Sequence, residues 1–304
     1  MILKEQKALI KKVLEDIRSD RVKKVIIDSD AGCEIDDQFA ILYALCAKDK
    51  MDVLSINAAP VGVVEDFEKN MLMVYEEINR VIGKLQGAEN IPVYHGGRVP
   101  MEVLGDLVHS PAADNIVNTV MESDERIYVL GLGGATNIAS ALLIEPKIAE
   151  KMCVIWLGTD YLFRDEMREF NLSQDYTAGQ VVLNSGCPLV LCTDYAVAAL
   201  ESNLDELTQL DGVNPHGTYL AEIAREYHGY DGYPVPWKRT IWDFAAPAIL
   251  ALPESATLEI MPTPLLTDDR RAAIDKTRHK MIMLMKLDRD MIYKDSFDRM
   301  RKGR

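Results

Sequence analysis

Short apolar runs rich in β-branched residues alternate with longer amphipathic stretches along most of this chain. Such runs are found, among other places, at residues 23–27, 53–58, 126–131, 152–157 and 188–192. Repeated strand–helix units of this kind predict an open, mainly parallel sheet with right-handed crossovers and helices on both faces. We therefore predict one α/β domain over residues 1–304, in which 1–22 form an N-terminal helical extension.

The later part of the chain is less regular. The stretch 203–252 is expected to be mainly helical, with an interruption at the Gly/Pro-rich segment 229–236. Two late strands are predicted at 257–261 and 280–287, and a closing helix begins at about Asp288.

The first strand leads directly into a loop that carries an unusual density of negative charge. Its carboxylates are those of Asp28, Asp30, Glu34, Asp36 and Asp37. In an open α/β sheet, ligands bind at the carboxyl ends of the strands, so this loop is the expected place for a site. Carboxylates this close repel one another unless a positive charge lies among them. The loop therefore predicts a hard divalent cation with oxygen ligands.

Charge and composition narrow the classes of partner. The net charge of −14 disfavours binding to nucleic acid or to an anionic membrane surface, because both favour basic proteins. The N-terminal residues lack the apolar core of a secretory signal, and no apolar run reaches membrane-spanning length. The five cysteines show no CxxC spacing, which fits a reducing compartment. We expect a cytoplasmic protein.

Three other predicted turns carry groups that suit a site. They are Thr136-Asn137, Glu169-Phe170-Asn171 with Asp175, and Trp242-Asp243 at a helix start. Each alone has a simpler explanation, because Thr136, Asp175 or Asp243 can cap a helix and Glu169 can be a solvated charge. Trp242 fits a core position as well as a binding site.

Two common motifs fit these residues poorly. An apolar run before Asp28-Ser29-Asp30 resembles the opening of haloacid-dehalogenase-type phosphatases, in which the first Asp is a nucleophile beside Mg²⁺, with Asp268-Asp269 as a later acidic pair. However, Gly32 stands where Thr or Val is expected, and Asp36-Asp37 would have no role. The glycine-rich segment 131–134 lacks a Walker lysine and the third glycine of a dinucleotide-binding loop.

The ordered set of motifs resembles the inosine–uridine-preferring nucleoside hydrolases. That family opens with Asp-x-Asp-(Pro/Ala)-Gly-x-Asp-Asp, and here residues 28–37 match it with two extra residues before the final pair. The family's Gly-Pro-Leu-Thr-Asn-Ile-Ala segment is similar to residues 133–139, and Glu-Phe-Asn-x-x-x-Asp is matched literally by residues 169–175. Trp242-Asp243 stands where the family has His-Asp. Four motifs in order are far more specific than any one of them.

The resemblance implies a calcium ion and a set of roles. Asp30, Asp37, Asp243 and the main-chain carbonyl of Thr136 would hold Ca²⁺, and Asp30 would also be the general base. Asp36, Glu169 and Asn171 would bind the ribose. The resemblance makes Asp30, Asp37 and Asp243 the expected catalytic residues, and it implies a homodimer or homotetramer. These roles suit cleavage of an N-glycosidic bond, because carboxylates stabilise the oxocarbenium character that develops on the sugar.

Departures from the family pattern concern specificity. Trp242 replaces the histidine common in pyrimidine-accepting members, which favours a purine base bound by stacking, with Tyr230, Tyr233 or Trp237 as a second aromatic. The expected asparagine for the ribose 5′-hydroxyl falls at Phe163, where Asp160 is a possible substitute. His109 and His228 are the candidates for a replacement acid.

We therefore predict a calcium-dependent hydrolase that cleaves a ribonucleoside to free base and ribose by direct attack of water, in the manner of a purine salvage enzyme. Two alternatives stay open. The chain is a ribose- or nucleoside-binding protein with altered or no catalysis, or, with less support, a Mg²⁺-dependent phosphatase that uses Asp28. The role of Glu34 in the lengthened loop is undecided by the sequence.

Overall fold

The computed structural model describes residues 3–62, 66–162, 164–227 and 238–303. Eight strands form one sheet in the order β3-β2-β1-β4-β5-β6-β12-β9, and two short antiparallel pairs, β7-β8 and β10-β11, lie outside it. The strands are β1 Lys23–Ser29, β2 Met51–Ala58, β3 Val93–Tyr94, β4 Ile127–Gly131, β5 Met152–Leu157, β6 Leu189–Cys192, β7 Glu201–Asn203, β8 Lys238–Thr240, β9 Ala256–Pro262, β10 Leu265–Leu266, β11 Ala272–Ala273 and β12 Lys280–Leu287.

Helices account for most of the remaining described chain. The α-helices are α1 Leu3–Ile17, α2 Asp36–Cys46, α3 Phe67–Gly83, α4 Met101–Leu104, α5 Pro111–Glu122, α6 Thr136–Ile144, α7 Ile148–Lys151, α8 Phe170–Gln174, α9 Tyr176–Asn184, α10 Asp194–Val197, α11 Leu204–Leu207, α12 Pro215–Glu226, α13 Ala245–Ala251 and α14 Arg289–Lys302. Short 3-10 turns occupy Ala198–Leu200, Trp242–Phe244 and Pro253–Ser255.

The sheet is parallel except at one edge. β1 pairs in parallel with β2 and β4, and the parallel order continues through β5 and β6 to β12. Among the described strands of this sheet, only β9 is antiparallel, on the outer side of β12. Every residue of β4 and β5 is buried, as expected for central strands that are covered on both faces. The prediction of a mainly parallel α/β fold is confirmed.

Successive side chains of the central strands enter two different hydrophobic clusters. In β5, Ile155 belongs to the cluster under α2, α3 and α14, whereas Val154 and Trp156 belong to the cluster under α5, α6 and α9. Because side chains alternate across a strand, these clusters lie on opposite faces of the sheet. Helix α1 adds Ile10, Val13 and Ile17 to the first cluster.

The helix starts follow local sequence signals. Asp66 caps α3 by accepting a hydrogen bond from the backbone of Lys69, and Ser110 caps α5, whose first residue is Pro111. Apolar residues spaced for one face then bury the helix against the sheet, as Met71, Val74 and Ile78 do in α3.

The described part of the stretch 203–252 is mainly helical, as predicted. It also contains the short strand β8, which was not predicted and which pairs antiparallel with β7. Three-residue strands carry little periodicity and depend on a distant partner. The interruption expected at 229–236 lies outside the described residues, as do His228, Tyr230, Tyr233, Trp237 and Phe163. In the described chain, no helix combines the length and the apolar character needed to cross a membrane.

Candidate active site

The acidic loop begins where β1 ends, and β1 lies inside the sheet between β2 and β4. The hydroxyl of Ser29 donates a 2.5 Å hydrogen bond to Oδ1 of Asp37 and accepts one from the backbone N–H of Ala31. Gly32 adopts φ +95°, a conformation that favours glycine, and lets the chain turn back toward the sheet. Helix α2 then starts at Asp36, so two carboxylates lie in its first turn, where the helix dipole favours negative charge.

Three carboxylates from two distant segments converge at this point. Asp36, Asp37 and Asp243 are all buried, and one oxygen from each lies within 4.8 Å of the others. Burial, followed by the charges of Asp30 and Asp36, raises the pKa of Asp37 well above its usual value. Burial, followed by the charges of Asp37, Asp36, Asp30 and Glu169, raises the pKa of Asp243 well above its usual value as well. Mutual repulsion therefore opposes the ionisation of these carboxylates.

Asp30 lies beside this cluster but is not one of its three closest members. Its Oδ2 accepts a 2.6 Å hydrogen bond from Nε2 of Gln174. Burial raises the pKa of Asp30 to about 6, while the hydrogen bond from Gln174 acts in the opposite direction. Gly133 packs against this carboxylate so closely that a Cβ there would lie 2.8 Å from Cγ of Asp30.

Asp28 has a different environment. It is 1% exposed, and its Oδ1 accepts a hydrogen bond of 2.9 Å from Asn137. Asn137 is held in turn by the backbone of Ala58 and Gly97. Among the described residues, those that line the cavity at the strand ends do not include Asp28. This position argues against the phosphatase alternative, which requires Asp28 as an accessible nucleophile.

The Glu169 segment forms a second wall. Asp160, just past β5, accepts hydrogen bonds from the backbone N–H groups of Arg168 and Glu169. It also forms an ion pair with Arg164. These contacts fix the chain where it enters α8. The carboxylate of Glu169 accepts from the backbone of Asn171 and Leu172, and burial raises its pKa to about 8.

The amide group of Asn171 is held firmly in place. It donates to the carbonyls of Leu132 and Leu157, at the ends of two neighbouring strands. Its Oδ1 lies 3.3 Å from Nε2 of Gln174. Asn171 therefore offers a ligand its carbonyl oxygen, since both amide hydrogens point to the backbone.

Thr136 is placed by a helix-capping network. It is fully buried at the first residue of α6, and its hydroxyl donates a 2.5 Å hydrogen bond to Asp175. Asp175 caps α9 and also accepts from the backbone of Met101 and Glu102. Thr136 is not among the described residues that line the cavity, so the proposed use of its carbonyl stays a prediction.

These elements enclose a cavity of about 550 Å³ at the carboxyl ends of the strands. Trp242 lines it while also packing against the core, and its role at the base stays a prediction. The described lining contains eight carboxylates and three arginines: Asp30, Glu34, Asp36, Asp37, Asp160, Glu169, Asp194 and Asp243, with Arg164, Arg168 and Arg239. Carboxylates therefore outnumber cationic side chains in the described lining.

The donor set fits a hard divalent cation. Among the described residues, Oδ1 of Asp243 is buried and has no hydrogen-bond partner, which is costly without a cation. Carboxylate oxygens are the ligands that Ca²⁺ prefers. The tight cluster contains Asp36, which the resemblance assigns to ribose binding. Asp30, which the resemblance assigns to the cation, is not one of its three members.

Comparison with known proteins identifies the family. A family model described as inosine-uridine preferring nucleoside hydrolase matches residues 25–294. The chain belongs to this nucleoside hydrolase family. Its members are N-glycosyl hydrolases, and so is this enzyme. A pyrimidine-specific ribonucleoside hydrolase, RihA of Escherichia coli O1:K1 / APEC, is 26% identical over 246 residues, which cover 69% of this chain and 76% of that protein.

Solved structures share the fold of this nucleoside hydrolase. The plant nucleoside hydrolase PpNRh1 has a TM-score of 0.74 and 19% identity, covering 92% of this chain and 99% of that one. A purine-preferring ribonucleoside hydrolase from Gardnerella vaginalis has a TM-score of 0.71 and 20% identity, covering 92% and 98%.

Several residues of the nucleoside hydrolase cavity were not found from the sequence. Gln174 lies inside the Glu-Phe-Asn-x-x-x-Asp motif at an unspecified position, yet it contacts Asp30. Arg239 forms an ion pair with Glu34 inside the cavity, which answers the question left open for the lengthened loop. No local signal marks either contact. His109, a candidate acid, is exposed, and the described cavity lining does not include it.

Proposed function

We propose that this chain is a calcium-dependent ribonucleoside hydrolase that releases a free base and ribose by direct attack of water. The observation that carries the proposal is the convergence of buried Asp36, Asp37 and Asp243 beside Asp30 in one cavity. Four carboxylates that share a cavity suit a cation that also binds hydroxyl groups of a sugar.

The residues divide the chemistry as follows. The cation would be held by Asp30, Asp37, Asp243 and the carbonyl of Thr136, with Asp36 beside them. When bound, it supplies the positive charge that keeps these carboxylates ionised and polarises water and ribose hydroxyls. Asp30 accepts the proton of the attacking water, which its side chain can do once it is ionised. Its anchorage to Gln174 orients it for this role.

The sugar is held by the second wall of the cavity. Glu169 and Asp36 accept hydrogen bonds from ribose hydroxyls, and Asn171 offers its carbonyl oxygen. As the glycosidic bond lengthens, the sugar gains positive charge, which these carboxylates stabilise without any covalent enzyme intermediate.

We propose a purine base, because Trp242 lines the cavity and offers an aromatic face for stacking. The relatives are divided on this point: one is named for pyrimidine specificity and another for purine preference. A matched panel of purine and pyrimidine ribonucleosides decides it, since a purine enzyme gives the higher kcat/KM with the purine members.

The test of the activity is release of reducing sugar from that panel, with Ca²⁺ and with chelator. Hydrolysis that the chelator abolishes and Ca²⁺ restores supports the proposal. Asp30→Asn should lower kcat by at least about 100-fold while the thermal unfolding curve stays cooperative. The alternative of a binding protein predicts calorimetric binding of ribose with no hydrolysis by the calcium-loaded chain.

We further propose that residues 1–304 act as one domain in a cytoplasmic purine salvage enzyme that is a homodimer or homotetramer. The support is the family resemblance, the acidic composition and five cysteines that show no CxxC spacing. Light scattering after gel filtration measures the assembly, and a monomeric mass would contradict it.

A further inference from the structure

Arg239 occupies an unusual position for a cationic side chain. It lies in the middle of β8, where its backbone pairs with Ser202 of β7. Its side chain lines the cavity and is only 10% exposed. Arg164 and Arg168, the other arginines of the described lining, are 54% and 74% exposed. Burying a guanidinium is costly unless it is paired, so its position requires an explanation.

The described contacts of Arg239 include the side chains of Glu34 and Tyr227. Glu34 forms an ion pair with it from the acidic loop. The ring of Tyr227 lies under the guanidinium, 5.2 Å from Cζ to the ring centroid, and its hydroxyl donates a 3.2 Å hydrogen bond to Oε1 of Glu34. Glu34 lies in the part of the loop that is longer than the family motif. The lengthened loop thus supplies the carboxylate that orients the arginine.

The reaction places negative charge on the departing base, and the carboxylates of the cavity cannot stabilise it. When the glycosidic bond breaks, its electron pair stays on a nitrogen of the base, which becomes negative. Neighbouring carboxylates stabilise the sugar but oppose that negative charge. In the described part of the cavity lining there is no histidine to neutralise it. A buried cation with hydrogen-bond donors is the group that suits this task.

Arginine is suited to this role by its chemistry. Its planar guanidinium offers N–H donors in a fixed fork and no acceptor. Burial lowers the pKa of Arg239 to about 10, which leaves it protonated at neutral pH. Trp242, three residues further on, lines the same cavity and provides the aromatic surface assigned to the base.

On the basis of the proposed function, we propose that Arg239 binds the base and stabilises the negative charge that develops on it, with Glu34 as its positioning residue. The C1′–N bond breaks and leaves its electron pair on the base. The water oxygen bonds to C1′, and the water proton passes to Asp30. The base then takes a proton from solvent, Asp30 later releases its own to solvent, and Arg239 keeps its protons throughout. Such an arginine favours bases that present ring-nitrogen or carbonyl acceptors.

The competing explanation is that Arg239 only balances the charge of the carboxylates, since Asp243 lies close enough to act on it. The two explanations differ in their dependence on the leaving group. A nucleobase needs stabilisation as it departs, whereas nitrophenolate departs from p-nitrophenyl ribofuranoside without help. A residue that acts on the base affects only the first substrate.

The experiment compares kcat/KM for a ribonucleoside and for p-nitrophenyl ribofuranoside in the calcium-loaded full chain. Arg239→Met is expected to lower the value for the nucleoside about 100-fold, as loss of one charge-stabilising donor does elsewhere, and to leave the nitrophenyl substrate within about threefold. The control is Arg225→Met, which removes an exposed arginine of α12 that is paired with Asp211. It should change neither value of kcat/KM.

Glu34→Gln tests the positioning role. It should lower kcat for the nucleoside about tenfold, with little change in KM and none for the nitrophenyl substrate. Because Arg239→Met leaves Glu34 without its cation, the double variant Glu34→Gln/Arg239→Met is measured beside it and should show the same selective loss.

Two results separate failure of this inference from failure of the proposed function. Equal losses on both substrates, or a weakened Kd for Ca²⁺ measured by calorimetry on the variants, would overturn the role at the base and leave the hydrolase intact. Wild-type chain that cleaves neither substrate would overturn the hydrolase itself, and this inference with it.

Discussion

The amide nitrogen of Gln174 donates a 2.6 Å hydrogen bond to Oδ2 of Asp30, the carboxylate proposed as the general base. Its carbonyl oxygen accepts from the backbone of Gly62, so the amide group is fixed in orientation. A hydrogen bond to the ionised form favours ionisation, and this contact opposes the effect of burial on the pKa of Asp30.

Removing this contact should move the pH profile. Gln174→Leu is expected to raise the pKa of Asp30 and to shift the acid limb of kcat/KM to higher pH, by on the order of one unit. The matched control is Gln180→Leu on α9, which removes an amide that donates to the carbonyl of Leu266 away from the cavity. An acid limb that lies at the same pH in both variants would disagree with Asp30 as the base.

Stability without a cation should fall as pH rises. In the folded chain, burial raises the pKa of Asp36 to about 7 and that of Glu169 to about 8. Between the ordinary carboxyl pKa and these values, the folded state binds more protons than the unfolded state, so the free energy of unfolding decreases with pH. Thermal unfolding in chelator should therefore show a Tm that falls from pH 5 to pH 8.

Calcium should reverse this trend. A cation bound among the carboxylates replaces the protons, so its affinity and its stabilising effect grow with pH. The increase in Tm on adding Ca²⁺ is expected to be larger at pH 8 than at pH 5.5. An increase that is independent of pH would show that the ion binds away from the buried carboxylates.

Gly133 should tolerate no side chain. In Gly133→Ala, the new Cβ would lie 2.8 Å from Cγ of Asp30 and displace that carboxylate. Misplacement of a catalytic group by about 1 Å can lower the rate about 100-fold, and we expect a loss of kcat of that order. Gly83→Ala, at the end of α3 with nothing within 4 Å, is the control and should keep full activity. Equal rates for the two variants would contradict the close packing.

Asp175 should matter for stability rather than for chemistry. Its carboxylate accepts hydrogen bonds from the Thr136 hydroxyl and from the backbone of Met101, Glu102 and Ala178. Asp175→Ala leaves buried donors without partners and should lower the free energy of unfolding by about 3–5 kcal/mol. Thr136→Val removes one of these bonds and should cost about 1–2 kcal/mol. Urea denaturation measures both, and a smaller effect for Asp175→Ala than for Thr136→Val would be inconsistent with this network.

The regular elements of the fold were predictable because their signals are local. The apolar run at 152–157 became β5 with the same bounds, and Met71, Val74 and Ile78, which are spaced for one face of a helix, lie on the buried face of α3. Each signal depends on side-chain periodicity within a few residues and on caps such as Asp66 and Ser110. The parallel sheet then followed from repeated strand–helix units.

The short antiparallel pair β7-β8 was not predictable in this way. Three-residue strands have too few positions to show alternation, and Glu201 pairs with Thr240 across a long stretch of intervening chain. Arg239 lies in that pair of strands, so its position in the cavity could not be predicted from its neighbours in sequence.

By itself, the sequence determined the α/β class, the family and the acidic loop, because motifs and periodicity are properties of adjacent residues. Only the tertiary structure decided which carboxylates meet: Asp36 joins Asp37 and Asp243, and Gln174 reaches Asp30 from 144 residues away. It also decided that Glu34 holds Arg239 in the cavity. These contacts depend on strand order, register and loop paths, which bring together side chains whose local sequences carry no record of one another.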